Sequence, residues 1–110
     1  MSIERGQIYR VNLDPTVGSE QRGSARPCVI LTITAFASKL RNVSVVPLTS
    51  SPRALPPLIV SVPSAGKAES MALCHQIRTI DKARIGKCIG ALSPQDMATM
   101  EAGIRAVHGL

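Results

Sequence analysis

Apolar and polar residues alternate from Gln7 to Leu13, with Tyr9, Val11 and Leu13 on one face and Arg10 and Asn12 on the other. A period of two predicts a half-buried strand. Asp14-Pro15 ends it, because proline has no N–H to give a ladder. The next apolar run, Cys28-Val29-Ile30-Leu31-Thr32-Ile33-Thr34, is unbroken and predicts a central strand covered on both faces. Ala35 to Leu40 predicts a single helical turn. Val43 to Leu48 predicts a third strand, in which Pro47 demands an edge or a bulge. Leu58 to Val62 predicts a fourth strand, Pro63 to Lys67 a turn, and Met71 to Ile77 a fifth strand. Ile85 to Leu92 predicts a sixth, strongly bent at Gly86 and Gly90. Short strands joined by turns imply a mainly β (α+β) chain built as a small barrel or sandwich.

The last element has a different period. Ser93 suits an N-cap, Pro94 the first helical position, and Asp96 the acidic position of a capping box. Met97, Met100, Ile104 and Val107 then form one apolar stripe on a helix expected to pack on the barrel. Part of that stripe meeting a second subunit is the alternative. Gly103 weakens the helix interior by about 1 kcal/mol relative to alanine. No internal repeat or linker divides residues 1–110, so a single domain is expected.

Between the first two strands lies a polar loop, Val17 to Pro27, with two glycines, two arginines and one carboxylate. It exceeds the usual hairpin length, and long loops in compact domains tend to carry function. Pro27 biases Arg26 towards an extended backbone. A guanidinium held at the mouth of a strand suits bidentate capture of a phosphate or carboxylate. A solvated loop with an arginine covering an apolar edge is the plainer reading.

Charge narrows the partners. The 110 residues carry a formal net charge of +6, which favours a polyanion, nucleic acid first. Aromatic residues make up 2%, only Tyr9 and Phe36, which argues against a base-stacking platform. No apolar run is long enough to cross a bilayer and no signal core opens the chain, so a cytoplasmic protein off the membrane is expected. Cys28, Cys74 and Cys88 form no CxxC and neighbour apolar residues; they read as buried free thiols.

There is no metal-ligand cluster, no phosphate-binding GxxxxGK[ST] and no GxSxG elbow. Chemistry without a cofactor or metal is simplest on a substrate that carries its own nucleophile. RNA does, in its 2′-hydroxyl. Such a site must align the attack, take a proton, neutralise the phosphorane charge and protonate the leaving 5′-oxygen.

Arg5-Gly6-Gln7-Ile8, Asp14 to Gln21, Arg26-Pro27, Val45 to Ser50 and Gln76 to Asp81 occur in that order. Together they resemble the MazF/PemK family of bacterial toxins from toxin–antitoxin pairs. The resemblance implies an SH3-like β-barrel with a C-terminal helix and a homodimer. It implies a sequence-specific endoribonuclease that cleaves single-stranded mRNA without a metal. It also implies inhibition by a cognate antitoxin whose acidic, disordered tail lies over the RNA groove.

By the same resemblance, Arg26 and Thr49 are the catalytic pair. Ser19, Glu20 and Gln21 border the RNA, and Gln76 lines the groove. Arg22, Ser50 and Arg78 join them as RNA-binding candidates. On residue chemistry alone, Thr49 reads first as a strand-end turn residue bonding its own backbone. Gly18 to Pro27 is one residue longer than the family's commonest form, so Arg22 competes with Arg26. His75 stands where some members carry an aspartate; it is either a satisfied structural histidine or the proton-transfer group. Two other functions fit the fold: a barrel toxin that poisons DNA gyrase, and an inactive RNA-binding module.

Overall fold

Seven strands and two helices run β1 (Gln7–Val11), β2 (Arg26–Ile30), α1 (Thr34–Ala37), β3 (Asn42–Thr49), β4 (Ile59–Ser61), β5 (Met71–Leu73), β6 (Arg78–Asp81), β7 (Ile85–Ala91) and α2 (Pro94–His108). The computed structural model describes every residue except Met1, Thr16, Ser19, Gln21, Ser51, Pro52 and Ala68. The strands form one curved antiparallel sheet in the order β4-β5-β3-β2-β1-β7, with β6 also pairing β3.

Both faces of the sheet contribute residues to a core. Tyr9, Val11, Cys28, Ile30, Val43 and Val45 point into one core. Ile8, Val29, Val46 and Leu48 point into a second, which Met100 and Ile104 of α2 cover. Arg10 and Asn12 are exposed, so the alternation expected for β1 holds. β2 is covered on both sides as expected, but it starts earlier, at Arg26, and ends at Ile30. Pairing of β1 with β7 shifts register twice, which is the bending foreseen for the glycine-containing strand. No ladder joins β4 to β7 among the described residues. The 3-10 turn Pro63–Ala65 contacts β7 at that seam, and the expected small barrel is not closed by strand pairing among the described residues.

The expected fifth strand, Met71 to Ile77, is shorter, and a further strand that was not foreseen follows it. β5 ends at Leu73, the chain turns at Cys74 and His75, and β6 begins at Arg78. Both lie against β3: β6 pairs Asn42 to Val45, and β5 pairs Leu48 and Thr49. Pro47 falls in the gap between them. It was expected at an edge or bulge; instead it is buried in the central strand, and its missing N–H breaks no ladder on that side.

The start of α2 differs from a simple capping box. Ser93 Oγ accepts from the Asp96 amide at 3.1 Å, as expected. Asp96 returns its bond through Ser64. Its Oδ2 accepts from the Ser64 amide at 2.8 Å and from the Ser64 hydroxyl, whose oxygen accepts from the Ser93 amide at 2.9 Å. The helix start is thereby tied to the seam turn. Met97, Met100, Ile104 and Val107 pack on the sheet as expected.

Cys28 and Cys74 are buried, and burial pushes the Cys28 thiol up to about 12 and the Cys74 thiol up as well. Cys88, expected to be buried, is only half-buried, because β7 faces solvent along much of its length.

At Gly103, α2 packs closely on Cys74 and on the Pro57 backbone. A Cβ there would sit 2.8 Å from Cys74 Sγ and 2.9 Å from the Pro57 carbonyl oxygen. Glycine to alanine inside a helix normally stabilises by about 1 kcal/mol. Here overpacking against backbone costs about 1–3 kcal/mol. Gly103→Ala should therefore destabilise, by roughly 1 kcal/mol net, seen as a lower urea midpoint at unchanged slope. A raised midpoint would show that the helix sits further out than described.

Candidate active site

The β2–β3 register assembles the site. Cys28 pairs Pro47, Val29 pairs Val46 and Ile30 pairs Val45. Carried two residues further, the same register sets Arg26 across from Thr49. Residues opposite each other on neighbouring strands share a face. Arg26 opens β2, half-buried, just before Pro27. Thr49 closes β3, where it also pairs Met71.

The loop before β2 is shaped to this arginine. Gly23 has φ +134°, and a Cβ there would lie 2.5 Å from Arg26 Cδ and 2.6 Å from Cγ. Only glycine lets the Arg26 stem cross the loop so closely. Gly23 is held in turn: its carbonyl accepts from the Leu13 amide at 2.8 Å, and its amide donates to Asp14 Oδ1 at 3.1 Å. Arg78 Nη1 donates to the Leu13 carbonyl at 2.5 Å, and Arg84 Nη1 to the carbonyls of Asp14 at 2.6 Å and Asn12 at 3.1 Å. Two guanidiniums thus fasten the end of β1 from which the loop departs.

Arg26, Thr49 and Ser50 line one cleft of about 380 Å³. Its lining also includes the apolar Pro27, Leu48 and Ile89 and the cations Arg10 and Lys67. No described lining residue is a carboxylate. A second cleft, of about 180 Å³, is lined by Glu20, His75, Gln76 and Arg78 together with Leu13 and Pro47. Each cleft takes one lining residue from the end of β3, Leu48 in the larger and Pro47 in the smaller.

The expected site residues therefore fall into two groups. Arg26, Thr49 and Ser50 share the larger cleft; Glu20, His75, Gln76 and Arg78 share the smaller. Arg22 lines neither, and its Nη2 donates to the Gly18 carbonyl at 2.7 Å, so Arg26 and not Arg22 stands beside Thr49. Glu20 Oε1 accepts from the Val17 amide at 2.7 Å. Ser19 and Gln21 lie outside the described residues. Sequence reasoning missed Arg10, Lys67 and Arg84; Arg10 was read as part of the polar face of a strand and Lys67 as part of a turn.

His75 is exposed, on the turn after β5. Its Nδ1 lies 3.4 Å from the Leu58 carbonyl oxygen, and its Nε2 lies 3.3 Å from Gln76 Nε2. A carbonyl oxygen only accepts, so Nδ1 carries the proton in the neutral ring and Nε2 offers a lone pair. Gln76 then donates its amide to that lone pair. Among the described residues no group of three or more His, Cys, Asp or Glu is placed to hold a metal, and no helix is long and apolar enough to cross a membrane.

Comparison with known proteins gives a consistent picture. Residues 4–108 match the family described as PemK-like, MazF-like toxin of type II toxin-antitoxin system. Endoribonuclease PemK of Escherichia coli is 44% identical over 89 residues, covering 77% of this chain and 66% of that protein. A crystal structure of MazF from Deinococcus radiodurans shares the fold with a TM-score of 0.87 at 21% identity, covering 100% of this chain and 99% of that one. An endoribonuclease from a mycobacterial species, solved in complex with its cognate antitoxin, aligns with a TM-score of 0.82 at 24% identity, covering 99% and 97%.

Proposed function

The chain belongs to the PemK-like, MazF-like toxin family of type II toxin–antitoxin systems, and from that premise we propose an endoribonuclease in which Arg26 and Thr49 act together on one phosphodiester. The meeting of Arg26 with Thr49 in a single basic cleft is the observation that carries this reading. Its relatives are named endoribonuclease toxins, and the toxin role follows the family.

The 2′-oxygen of the RNA attacks phosphorus, the bond to the 5′-oxygen breaks, and the leaving oxygen takes a proton from water. The products are a 2′,3′-cyclic phosphate and a 5′-hydroxyl. Arg26 grips the non-bridging oxygens in bidentate fashion, and Thr49 donates to one of them. A guanidinium does not give up its proton at these pH values. His75, in the smaller cleft, takes the proton of the 2′-hydroxyl through Nε2. Glu20, Gln76 and Arg78, with Ser50 across β3, contact the flanking nucleotides. The enzyme works on single-stranded mRNA in the cytoplasm, as a homodimer and without a metal. Its regulator is a cognate antitoxin, whose acidic tail would be drawn to the basic cleft and order on binding.

Incubating the purified protein with a long RNA in EDTA and mapping the ends tests the reading. Cuts at one short motif with 5′-hydroxyl ends are expected. Intact RNA with trapped gyrase–DNA complexes would overturn it in favour of a gyrase poison. RNA binding that weakens with salt, without cleavage, would leave a binding module.

Gly23 tests the geometry beneath the arginine. Gly23→Ala strains a positive φ and displaces the Arg26 stem. We expect about a tenfold lower kcat, a displacement effect, with a melting temperature within a few degrees of wild type. An unchanged kcat in the folded variant would mean that the Arg26 stem does not depend on the loop.

A further inference from the structure

Arg26 balances one phosphodiester, which carries one negative charge. The same cleft holds two more cations, Arg10 and Lys67, and no described lining residue is a carboxylate. We propose that Arg10 and Lys67 form a second phosphate subsite, holding the phosphodiester next to the scissile one in the same RNA strand. The proposal rests on the ribonuclease reading and deepens it.

Arg10 is exposed at the middle of β1 between the buried Tyr9 and Val11. In sequence it looks like one residue of a solvated face. Its surroundings say otherwise. Its Nη1 donates to the Ala25 carbonyl at 3.2 Å, which holds the guanidinium against the residue that precedes Arg26. One of five donors is engaged there, and the fork keeps others for an anion. Lys67 comes from a different element, the turn after Pro63–Ala65, where Gly66 takes φ +121°. No described side chain pairs its ammonium in a salt bridge.

Arg10 and Lys67 line the cleft with no described carboxylate beside them, so it favours an anion. The anion most available to a bound RNA is its own next phosphate, since the chain delivers it at no further loss of translational freedom. The rest of the cleft suits the same occupant. Pro27, Leu48 and Ile89 give an apolar lining for the base or sugar between the two phosphates. The volume, about 380 Å³, lies in the range of small-ligand sites. Arg10 and Lys67 serve binding and alignment; they touch no reacting atom.

The test pairs protein variants with backbone-neutral RNA. Arg10→Ala, Lys67→Ala and the double variant are assayed on a short RNA containing the mapped cut site, all-phosphate or with one methylphosphonate at the linkage on either side of the cut. For wild type, one of the two neutral linkages should raise KM about tenfold, with a smaller change in kcat. The double variant should show a similar rise on the all-phosphate RNA, and no further penalty from that neutral linkage. Its salt slope should fall by about 0.7 per cation removed. The subsite is overturned if the variants bind and cleave as wild type does. It is also overturned if the methylphosphonate penalty persists in full in the double variant, or if the penalty follows a change of base instead. Absence of any cleavage by wild type would remove the ribonuclease reading, and the subsite with it.

Discussion

Arg26→Ala should lower kcat for RNA cleavage about a thousandfold and leave the protein folded. In the ground state the phosphodiester carries one negative charge; in the phosphorane a second develops on the non-bridging oxygens. A fixed guanidinium beside those oxygens stabilises the transition state more than the substrate, so the loss appears in kcat more than in KM. Removing one such donor typically costs a hundredfold to a thousandfold. The upper figure applies here, because the bidentate fork supplies two hydrogen bonds and a charge at once. Folding should barely notice. The pairing of Arg26 with Val11 is a main-chain register, which alanine keeps. The side chain is half-buried at the mouth of a strand, where substitutions usually change stability by about 1 kcal/mol or less. Arg26→Lys, with the charge but not the fork, should recover part of the loss. Thr49→Ala should lose less, and the double variant should be about as slow as Arg26→Ala alone, since the two act on one phosphate. Single-turnover cleavage beside thermal melting decides the matter. A folded Arg26→Ala variant within tenfold of wild type would separate this guanidinium from the chemistry.

Much of this architecture could be read from periodicity because burial on a sheet follows a period of two. Tyr9, Val11 and Leu13 were placed correctly for that reason, and so were the covered strand at Val29 and Ile30 and the apolar stripe of α2. What escaped depended on partners distant in sequence. The break between β5 and β6 carries no glycine or proline, so nothing local marks the turn at Cys74 and His75. Pro47 is tolerated only because β5 and β6 leave a gap beside it. Ser64, which completes the cap of α2, lies in the 3-10 turn at the sheet seam. Gly103 looked like a weakness of the helix; it is the point where the helix touches the Pro57 backbone.

The site divides along the same line. Arg26 stood out because the following proline constrains it. Thr49 did not, since a threonine at a strand end is ordinarily a turn residue; the family likeness, and then the β2–β3 register, joined it to Arg26. Arg10 and Lys67 gave no local signal at all. A cation on a solvated face and a cation lining a cleft are spelled alike until the chain is folded.

His75→Ala should lower cleavage near neutral pH about a hundredfold, the lower end of what a positioned general base contributes. Two atoms set the expectation. The Leu58 carbonyl beside Nδ1 favours the tautomer with its proton on that nitrogen, and Nε2 is then the ring's free base. Gln76 steadies Nε2 in the absence of RNA, and substrate must take over that bond before the ring can accept a proton. A purely structural histidine would make the same two contacts, so rate loss alone does not decide between the roles. His75→Gln does, because glutamine can keep a hydrogen bond to Leu58 or Gln76 but moves no proton at these pH values. It should be as slow as alanine if His75 transfers the proton, and near wild type if the side chain only props the turn. Added imidazole offers a second readout. It should restore part of the rate to His75→Ala, where a small base can enter the vacated space, and none to Arg26→Ala. Full activity in a folded His75→Gln variant would leave Arg26 and Thr49 with the phosphate and assign the proton to water or to another group of the smaller cleft, with Glu20 the carboxylate already lining it.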